Sequence, residues 1–170
     1  MARFIAIFLV ALAALFSAEV TTPVQRIVVL PWTGGLARAS AALITVADAQ
    51  VAASGKVLSS TANGFAVSIE PGCNGIEAAL ILIAAMLAFP APWKHRMIGI
   101  AAGLAAVQAL NVVRVITLFY LGQWSLELFA WAHLYLWQAL IMLDVLVVWL
   151  VWIRMIPASH GAPRRVGTAS

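Results

Sequence analysis

Apolar residues are gathered into four long blocks along the chain, and most of the charged residues lie between them. The blocks cover residues 3–20, 73–89, 97–121 and 129–153. An α-helix needs about 20 apolar residues to cross the roughly 30 Å hydrocarbon core of a bilayer. The pattern therefore predicts an all-α integral membrane protein with about four transmembrane helices and a small extracytoplasmic segment between the first and the second.

The first block follows Arg3 and has the basic start and apolar core of a secretory signal peptide. A cut after Ala18 would place Phe16 where a small residue is required, so we prefer an uncleaved anchor to a cleaved leader. The resulting division is a first transmembrane helix at 1–20, an extracytoplasmic segment at 21–72, a three-helix membrane core at 73–155 and a basic cytoplasmic tail at 156–170.

The segment between the first two blocks is patterned as well. Apolar residues recur with a helical period from Leu36 to Val51, after Gly34-Gly35, which predicts a helix lying on the membrane surface or over the spans. Residues 65–70 alternate between large apolar and small or polar side chains, which predicts a short strand that leads into the following turn.

Lysine and arginine in short connections mark the cytoplasmic side of a membrane protein. The residues in such positions are Lys94, Arg96, Arg164, Arg165 and, at the N-terminus, Arg3. We therefore predict that both termini lie in the cytoplasm and that residues 21–72 lie outside.

The composition agrees with a membrane location, because 64% of the residues are hydrophobic and only 9% are charged. The net charge of +4 does not indicate nucleic-acid binding, since the basic residues flank apolar blocks instead of forming a soluble basic face. A single cysteine excludes an internal disulfide, and no Cys/His spacing is typical of a metal site. We expect neither a metal nor a cofactor.

The only cysteine lies in Pro71-Gly72-Cys73-Asn74-Gly75, a turn sequence at the start of the second block. Glycines on both sides allow the backbone to turn sharply where the helix begins. A lone thiol is an inert core residue, an intermolecular link or a nucleophile, and the local sequence alone does not separate these alternatives.

Arg114 and His133 are predicted to lie at the same depth in the membrane as Cys73. The second helix runs inward from Cys73, and the third runs outward and reaches Arg114 about 10 Å below its outer end at 1.5 Å per residue. The fourth helix runs inward again, with His133 about one turn inside its start. An arginine within an apolar helix costs about 2.5–3.5 kcal/mol to insert, so we expect it to have an anionic partner.

The partner of Arg114 has two candidates. A thiolate at Cys73 is one, and a neighbouring cation would then lower the thiol pKa from about 8.5 towards neutrality. His133 would act as the general base and acid, and Arg114 would alternatively hold an oxyanion or a substrate carboxylate. The second candidate is Glu77, which would make the arginine part of a structural ion pair.

Polar residues recur along one face of the third block. Gln108, Asn111 and Arg114 follow one another at three-residue steps, which predicts that they line the interior of the bundle. Asn111 lies near enough to support the site. Gln108 lies deeper and is predicted to make a structural contact with Asp144 of the fourth block, which we prefer to a proton path through the two residues.

The order of these motifs resembles the exosortase/archaeosortase family of membrane transpeptidases. The resemblance rests on Pro71-Gly72-Cys73-Asn74-Gly75-Ile76, on Asn111-Val112-Val113-Arg114 in the next block and on His133 in the one after. The resemblance covers about residues 65–155. The chain is most similar to the short exosortase H type, which is associated with IPTLxxWG-type sorting signals.

The resemblance implies a reaction and a set of partners. Cys73 would attack the C-terminal sorting signal of an exported protein, form a thioester and pass the protein to a lipid or other amine acceptor. Arg114 and His133 would be the other catalytic residues, with a supporting or substrate-binding role for Asn74, Gly75, Asn111 and Glu77. The enzyme would lie in a bacterial inner membrane with its site at the extracytoplasmic face. A second copy in a homo-oligomer, or another protein, would supply the helices that longer members contain.

Two other functions compete with this prediction. One is an intramembrane cysteine protease that hydrolyses its substrate without transfer. The other is a non-enzymatic membrane subunit in which an Arg114–Glu77 pair is structural and Cys73 is incidental.

Overall fold

The computed structural model describes residues 1–156. Residues 157–170 of the predicted basic tail, including Arg164 and Arg165, lie outside the described part. The elements, in chain order, are α1 (Ala2–Glu19), α2 (Thr22–Ile44), β1 (Val51–Ser54), β2 (Val57–Ser60), β3 (Ala66–Ser68), α3 (Ile76–Ala88), α4 (Trp93–Trp124) and α5 (Leu126–Arg154). The chain is therefore a mostly helical membrane protein with one small sheet.

Four helices are long and apolar enough to cross a membrane, namely α1, α2, α4 and α5. By length and composition the predicted number of four is confirmed, but α2 is among these helices and the second predicted span is not. The second predicted span, at 73–89, is the 13-residue helix α3, which is about 20 Å long at 1.5 Å per residue. It is short because residues 73–75 belong to a turn and because Phe89 adopts an extended conformation before Pro90.

We define the bundle as α1, α3, residues 93–110 of α4 and residues 137–154 of α5. These helices pack through apolar side chains that include Leu82, Met86, Val107, Ile141 and Val145. Phe4 near the start of α1 packs against Phe89 and Trp149, so α1 begins at the end of the bundle where α3 finishes. The two helices are therefore antiparallel.

Helix α2 continues in the direction of α1 instead of returning along it. Gln25 Nε2 donates to the Glu19 carbonyl at the joint between the two helices. Further along α2, Thr33 contacts Asn74 and Ile44 packs with Phe119 near the end of α4. Helix α2 thus runs parallel to α4, beyond the bundle. The predicted surface helix from Leu36 onwards is the second half of this helix.

The sheet lies beside the second half of α4. Its strands are antiparallel in the order β1-β2-β3, with Val51 paired to Ser60 and Leu58 to Val67. The β1–β2 hairpin has a two-residue loop whose first residue, Gly55, has φ 57°, as a tight hairpin turn requires. The short strand predicted from the sequence is β3, whereas the other two strands were not predicted.

We define the cap as α2, the sheet and residues 111–124 of α4. Its core contains Leu36, Ala37 and Ile44 from α2, Leu58 and Ile69 from the sheet region, and Val115 and Phe119 from α4. Strands β1 and β2 thereby bury Val51 and Leu58, whereas Val67 of β3 is half-buried. Because α4 is 32 residues long, it belongs to both regions and connects the cap rigidly to the bundle.

Candidate active site

Cys73 lies in the turn between β3 and α3, at the level where the cap meets the bundle. Gly72 and Gly75 on either side have φ values of 84° and 74°, a conformation that favours glycine. The Cys73 N–H donates to the Glu70 carbonyl at 2.9 Å, which closes the turn. The glycines predicted to turn the chain before the helix have that role here.

Glu77 secures the turn from the first turn of α3. Its Oε1 accepts a hydrogen bond from the Gly72 N–H at 2.6 Å. The predicted ion pair between Glu77 and Arg114 is therefore wrong, and the only ion pair within residues 1–156 joins Lys56 to Glu70. A carboxylate near a helix N-terminus is stabilised by the helix dipole and by free N–H groups, so Glu77 needs no cation.

Gly75 packs directly against α4. A Cβ at this position would lie 2.8 Å from Gln108 Nε2 and 3.0 Å from Asn111 Nδ2. Gln108 Nε2 donates to the Gly75 carbonyl at 3.3 Å, and within residues 1–156 no hydrogen bond joins Gln108 to Asp144. The contact between those two residues stays a prediction. Asn111 is fully buried beside the turn, as expected for a supporting residue.

Asn74 is also fully buried and holds the turn against α2. Its Oδ1 accepts from the Ile76 N–H at 3.0 Å, and its Nδ2 donates to Thr33 Oγ1 at 3.2 Å. Thr33 in turn donates to the Val29 carbonyl at 2.8 Å, at the end of the π-helical segment Gln25–Val29. Thr33 was not predicted from the sequence, where nothing distinguishes it from other polar residues of the segment.

Arg114 and His133 meet the sulfur of Cys73 from two different helices. Arg114 Nη2 lies 3.6 Å from Sγ, while Nη1 donates to the Gly72 carbonyl at 3.4 Å. His133 Nε2 lies 2.8 Å from Sγ. Arg114 is only 2% exposed, so its cationic head is almost completely withdrawn from solvent. The three residues that the depth estimate grouped together are in contact.

The position of His133 depends on an irregularity in α5. Residues Ala132–Leu136 form a π-helical segment, and such segments are frequent at functional sites because they change the direction of a side chain within a helix. The His133 ring stacks on Phe129, one turn earlier, at 5.6 Å between centroids and 12° between planes. Leu134 and Tyr135 point outwards and are 60% and 66% exposed, so they leave the site free.

The environment of Cys73 raises its pKa. Burial is the largest cause, Arg114 opposes it, and the carboxylates of Glu77 and Glu70 act in the same direction as burial. The expected decrease of the thiol pKa is therefore wrong, because desolvation of the sulfur outweighs the attraction of one guanidinium. Burial therefore favours the thiol form of Cys73, whose sulfur lies 2.8 Å from His133 Nε2.

A narrow cavity opens at Cys73, with about 40 Å³ available to the centre of a water molecule. Its walls are Val67, Ser68, Ile69, Cys73, Arg114, Val115, Leu118, Phe129 and His133. Most of this lining is apolar, and its polar side chains are those of the three site residues and of Ser68. Within residues 1–156 no group of three or more His, Cys, Asp or Glu residues is arranged to hold a metal ion.

Comparison with known proteins gives one finding about this chain. A family model described as "Transmembrane exosortase (Exosortase_EpsH)" matches residues 1–151, which is most of the chain. No significant match was found among curated proteins or among solved structures.

Proposed function

The chain belongs to the transmembrane exosortase family, and on this premise we propose that it is a membrane cysteine transpeptidase. Its substrates are exported proteins that end in a sorting signal made of a short motif, an apolar span and a basic tail. The observation that carries the proposal is the contact of Cys73 Sγ with His133 Nε2 at 2.8 Å and with Arg114 Nη2 at 3.6 Å.

The first half of the reaction forms a thioester. His133 Nε2 accepts the thiol proton as Sγ attacks the carbonyl carbon of the scissile peptide bond. Arg114 donates to the oxyanion that develops on the carbonyl oxygen. Stabilisation of an oxyanion by a donor in a site without water is usually the largest single contribution to the rate enhancement. The C–N bond then breaks, and His133 returns its proton to the leaving amine of the apolar span.

The second half of the reaction releases the protein from the enzyme. His133 accepts a proton from the incoming amine of a lipid or another acceptor, and the amine nitrogen attacks the thioester carbon. Collapse of the second oxyanion breaks the C–S bond and leaves a thiolate, which His133 reprotonates. Water in place of the amine would give a free carboxylic acid, so the acceptor alone separates transfer from hydrolysis.

The raised pKa of Cys73 is consistent with this sequence of steps. A thiol at rest requires a base in direct contact, and His133 Nε2 occupies that position. Arg114 acts on the oxyanion and not chiefly on the resting thiol. Asn74, Gly75, Asn111 and Glu77 position the turn, as their contacts with its backbone and with each other indicate.

The site is proposed to face the extracytoplasmic side of a bacterial inner membrane, with both termini in the cytoplasm. Lys94 and Arg114 lie on the same helix, and residues 94 to 114 span about 30 Å at 1.5 Å per residue. This is about the thickness of the hydrocarbon core, so the basic end of α4 and the site lie near opposite faces. The positive-inside rule then favours an outer site.

The substitution Cys73→Ala tests the proposal. We expect it to abolish processing of a co-expressed protein that carries the sorting signal, while the membrane level of the enzyme stays unchanged. Mass spectrometry of the new C-terminus separates the two chemistries: an added group indicates transfer, and a free acid indicates hydrolysis. Normal processing by Cys73→Ala would reject the cysteine mechanism and would favour a non-enzymatic subunit, although the structural Arg114–Glu77 pair on which that alternative rested is not formed.

A further inference from the structure

The sheet of the cap has an unpaired edge. Because the strand order is β1-β2-β3, strand β3 has a neighbour on one side only. The Ser60 N–H donates to the Phe65 carbonyl at 2.8 Å, and the Ile69 N–H donates to the Lys56 carbonyl at 2.9 Å. These bonds identify Phe65 and Ile69 as residues whose backbone groups point towards β2.

Backbone groups alternate in direction along a strand, so those of Ala66 and Ser68 point the other way, whereas those of Val67 point towards β2. Ala66 and Ser68 therefore direct their N–H and C=O groups away from β2, and both residues are exposed. Within residues 1–156 none of these four groups has a hydrogen-bond partner. An open edge of this kind is normally blocked or covered in proteins, since it pairs readily with another extended chain.

The open edge leads directly to the reactive sulfur. Val67, Ser68 and Ile69 form one wall of the cavity that contains Cys73 Sγ. Leu118 and Phe129 form apolar parts of the facing wall. A chain that pairs with β3 is thereby guided along its backbone to the atom that attacks a carbonyl.

We propose that β3 binds the substrate as an added fourth strand. The occupant is the extended segment of the exported protein on the N-terminal side of the scissile bond, paired with Ala66 and Ser68. This inference rests on the proposed function, because Cys73 lines the cavity and the occupant has to present a carbonyl to its sulfur. The apolar span that follows the scissile bond lies beside the bundle, which leaves the cap to the preceding segment.

Strand addition explains how so small a protein holds its substrate. Main-chain hydrogen bonds supply affinity that does not depend on the side chains of the bound segment, and alternate side chains supply selectivity. Every second side chain of the segment faces the apolar wall of Leu118 and Phe129, and those between face away. The substrate class is therefore an extended peptide with a preference for apolar residues at alternate positions.

Proline substitutions test the pairing, since proline removes one N–H and is tolerated where that N–H faces outwards. Ala66→Pro and Ser68→Pro are expected to reduce processing at least about tenfold, by loss of the hydrogen bond and by contact of the ring with the added strand. The matched control is Ala53→Pro on β1, whose N–H points away from β2 at the opposite edge of the same sheet. We expect it to change processing less than about twofold.

Disulfide cross-linking gives a second measurement that does not need activity. Ser68→Cys is combined with Cys73→Ala, and single cysteines are placed at successive positions before the cleavage site of a co-expressed substrate. Strand pairing predicts cross-linking that alternates with a period of two residues. Uniform cross-linking, a helical period or none at all would overturn the proposal.

The two proposals fail in different ways. If Ala66→Pro and Ser68→Pro process the substrate normally while Cys73→Ala does not, strand addition is wrong and the cysteine mechanism stands. If Cys73→Ala itself processes the substrate, the mechanism is wrong. Alkylation of Cys73 by a small uncharged thiol reagent, unchanged in the proline variants, shows that the turn has kept its structure.

Discussion

The bundle and the cap both contain apolar helices, but they differ in where buried polar side chains lie. In the bundle the buried core between helices is made of aliphatic and aromatic side chains, and the hydrogen bonds of His95 with Trp152 lie at one end of it. At the junction of the cap with the bundle, four buried polar residues lie together around the turn, namely Thr33, Asn74, Asn111 and Arg114. The bundle thus fixes the depth and the direction of the helices, whereas the junction provides the hydrogen bonds that hold the turn of Cys73.

The contrast has a physical cause. Lipid penalises unpaired polar groups, so polar residues in a membrane protein are retained where they pair with one another or with backbone. Here the backbone of one turn is the partner of two polar side chains of α4, because Arg114 binds the Gly72 carbonyl and Gln108 binds the Gly75 carbonyl. The buried amide of Asn111 has no hydrogen-bond partner within residues 1–156. Changes at the junction should therefore affect reactivity more than equivalent changes in the bundle.

The largest expected difference concerns two arginines of α4. Arg114→Gln should reduce processing by about 10²–10³-fold, because it removes the donor to the oxyanion. Arg114→Lys should restore little of this activity, since an ammonium does not reproduce the planar donor group that reaches both Gly72 and the sulfur. The measurement is the initial rate of substrate processing at matched membrane levels.

The control for this experiment lies in the bundle end of the same helix. Arg96 is also partly buried and donates to a backbone carbonyl, that of Phe89, at 2.9 Å. Arg96→Gln should leave the processing rate within about twofold, since the residue is some 27 Å of helix away from Arg114 at 1.5 Å per residue. Equal losses in the two variants would contradict the division between junction and bundle.

A smaller difference is expected between the two glycines of the turn. Gly75→Ala combines an unfavourable φ of 74° with contact on Gln108 and Asn111, and should destabilise the protein by about 2–4 kcal/mol. Gly72→Ala has a φ of 84° and open space around it, so only the backbone strain of about 1–2 kcal/mol applies. Thermal unfolding in detergent measures both, and Gly35→Ala in α2, with nothing within 4 Å, is the control.

The smallest effect is a shift in the pH dependence of thiol alkylation. The pKa of Cys73 is raised by burial, so its rate of reaction with an uncharged reagent should reach half its maximum at a higher pH than that of an unstructured cysteine peptide. Arg114 opposes the increase, so Arg114→Gln should move the midpoint higher still, whereas Arg96→Gln should not. A midpoint below that of the peptide would mean that the thiolate is the resting form.

The apolar blocks and the depth of the site could be predicted from the sequence, because both depend only on the distance along a helix axis. Helical rise converts residue number into depth, and depth was enough to group Cys73, Arg114 and His133 although 60 residues separate the first from the last. The strand before the cysteine and the turn-forming glycines also follow local rules of alternation and allowed φ values.

Partner choice could not be predicted in this way. Arg114 and Glu77 have opposite charge and similar depth, yet Glu77 binds the Gly72 N–H while Arg114 turns to the other side of the loop. Depth gives one coordinate, whereas a hydrogen bond also depends on rotation about the helix axis and on the distance between helices. The π-helical segment that directs His133 onto Phe129 changes the rotation of the side chain about the helix axis, and a regular helical period does not predict this change.

The amino-acid sequence by itself therefore determined that the chain is a membrane protein and which three side chains share a level, since both follow from hydrophobicity summed along a helix. Only the tertiary structure decided that α2 continues beyond the bundle, that β3 presents an open edge beside Cys73 and that burial raises the pKa of the thiol. These features arise from lateral packing and from the removal of water, which are properties of neighbours in space.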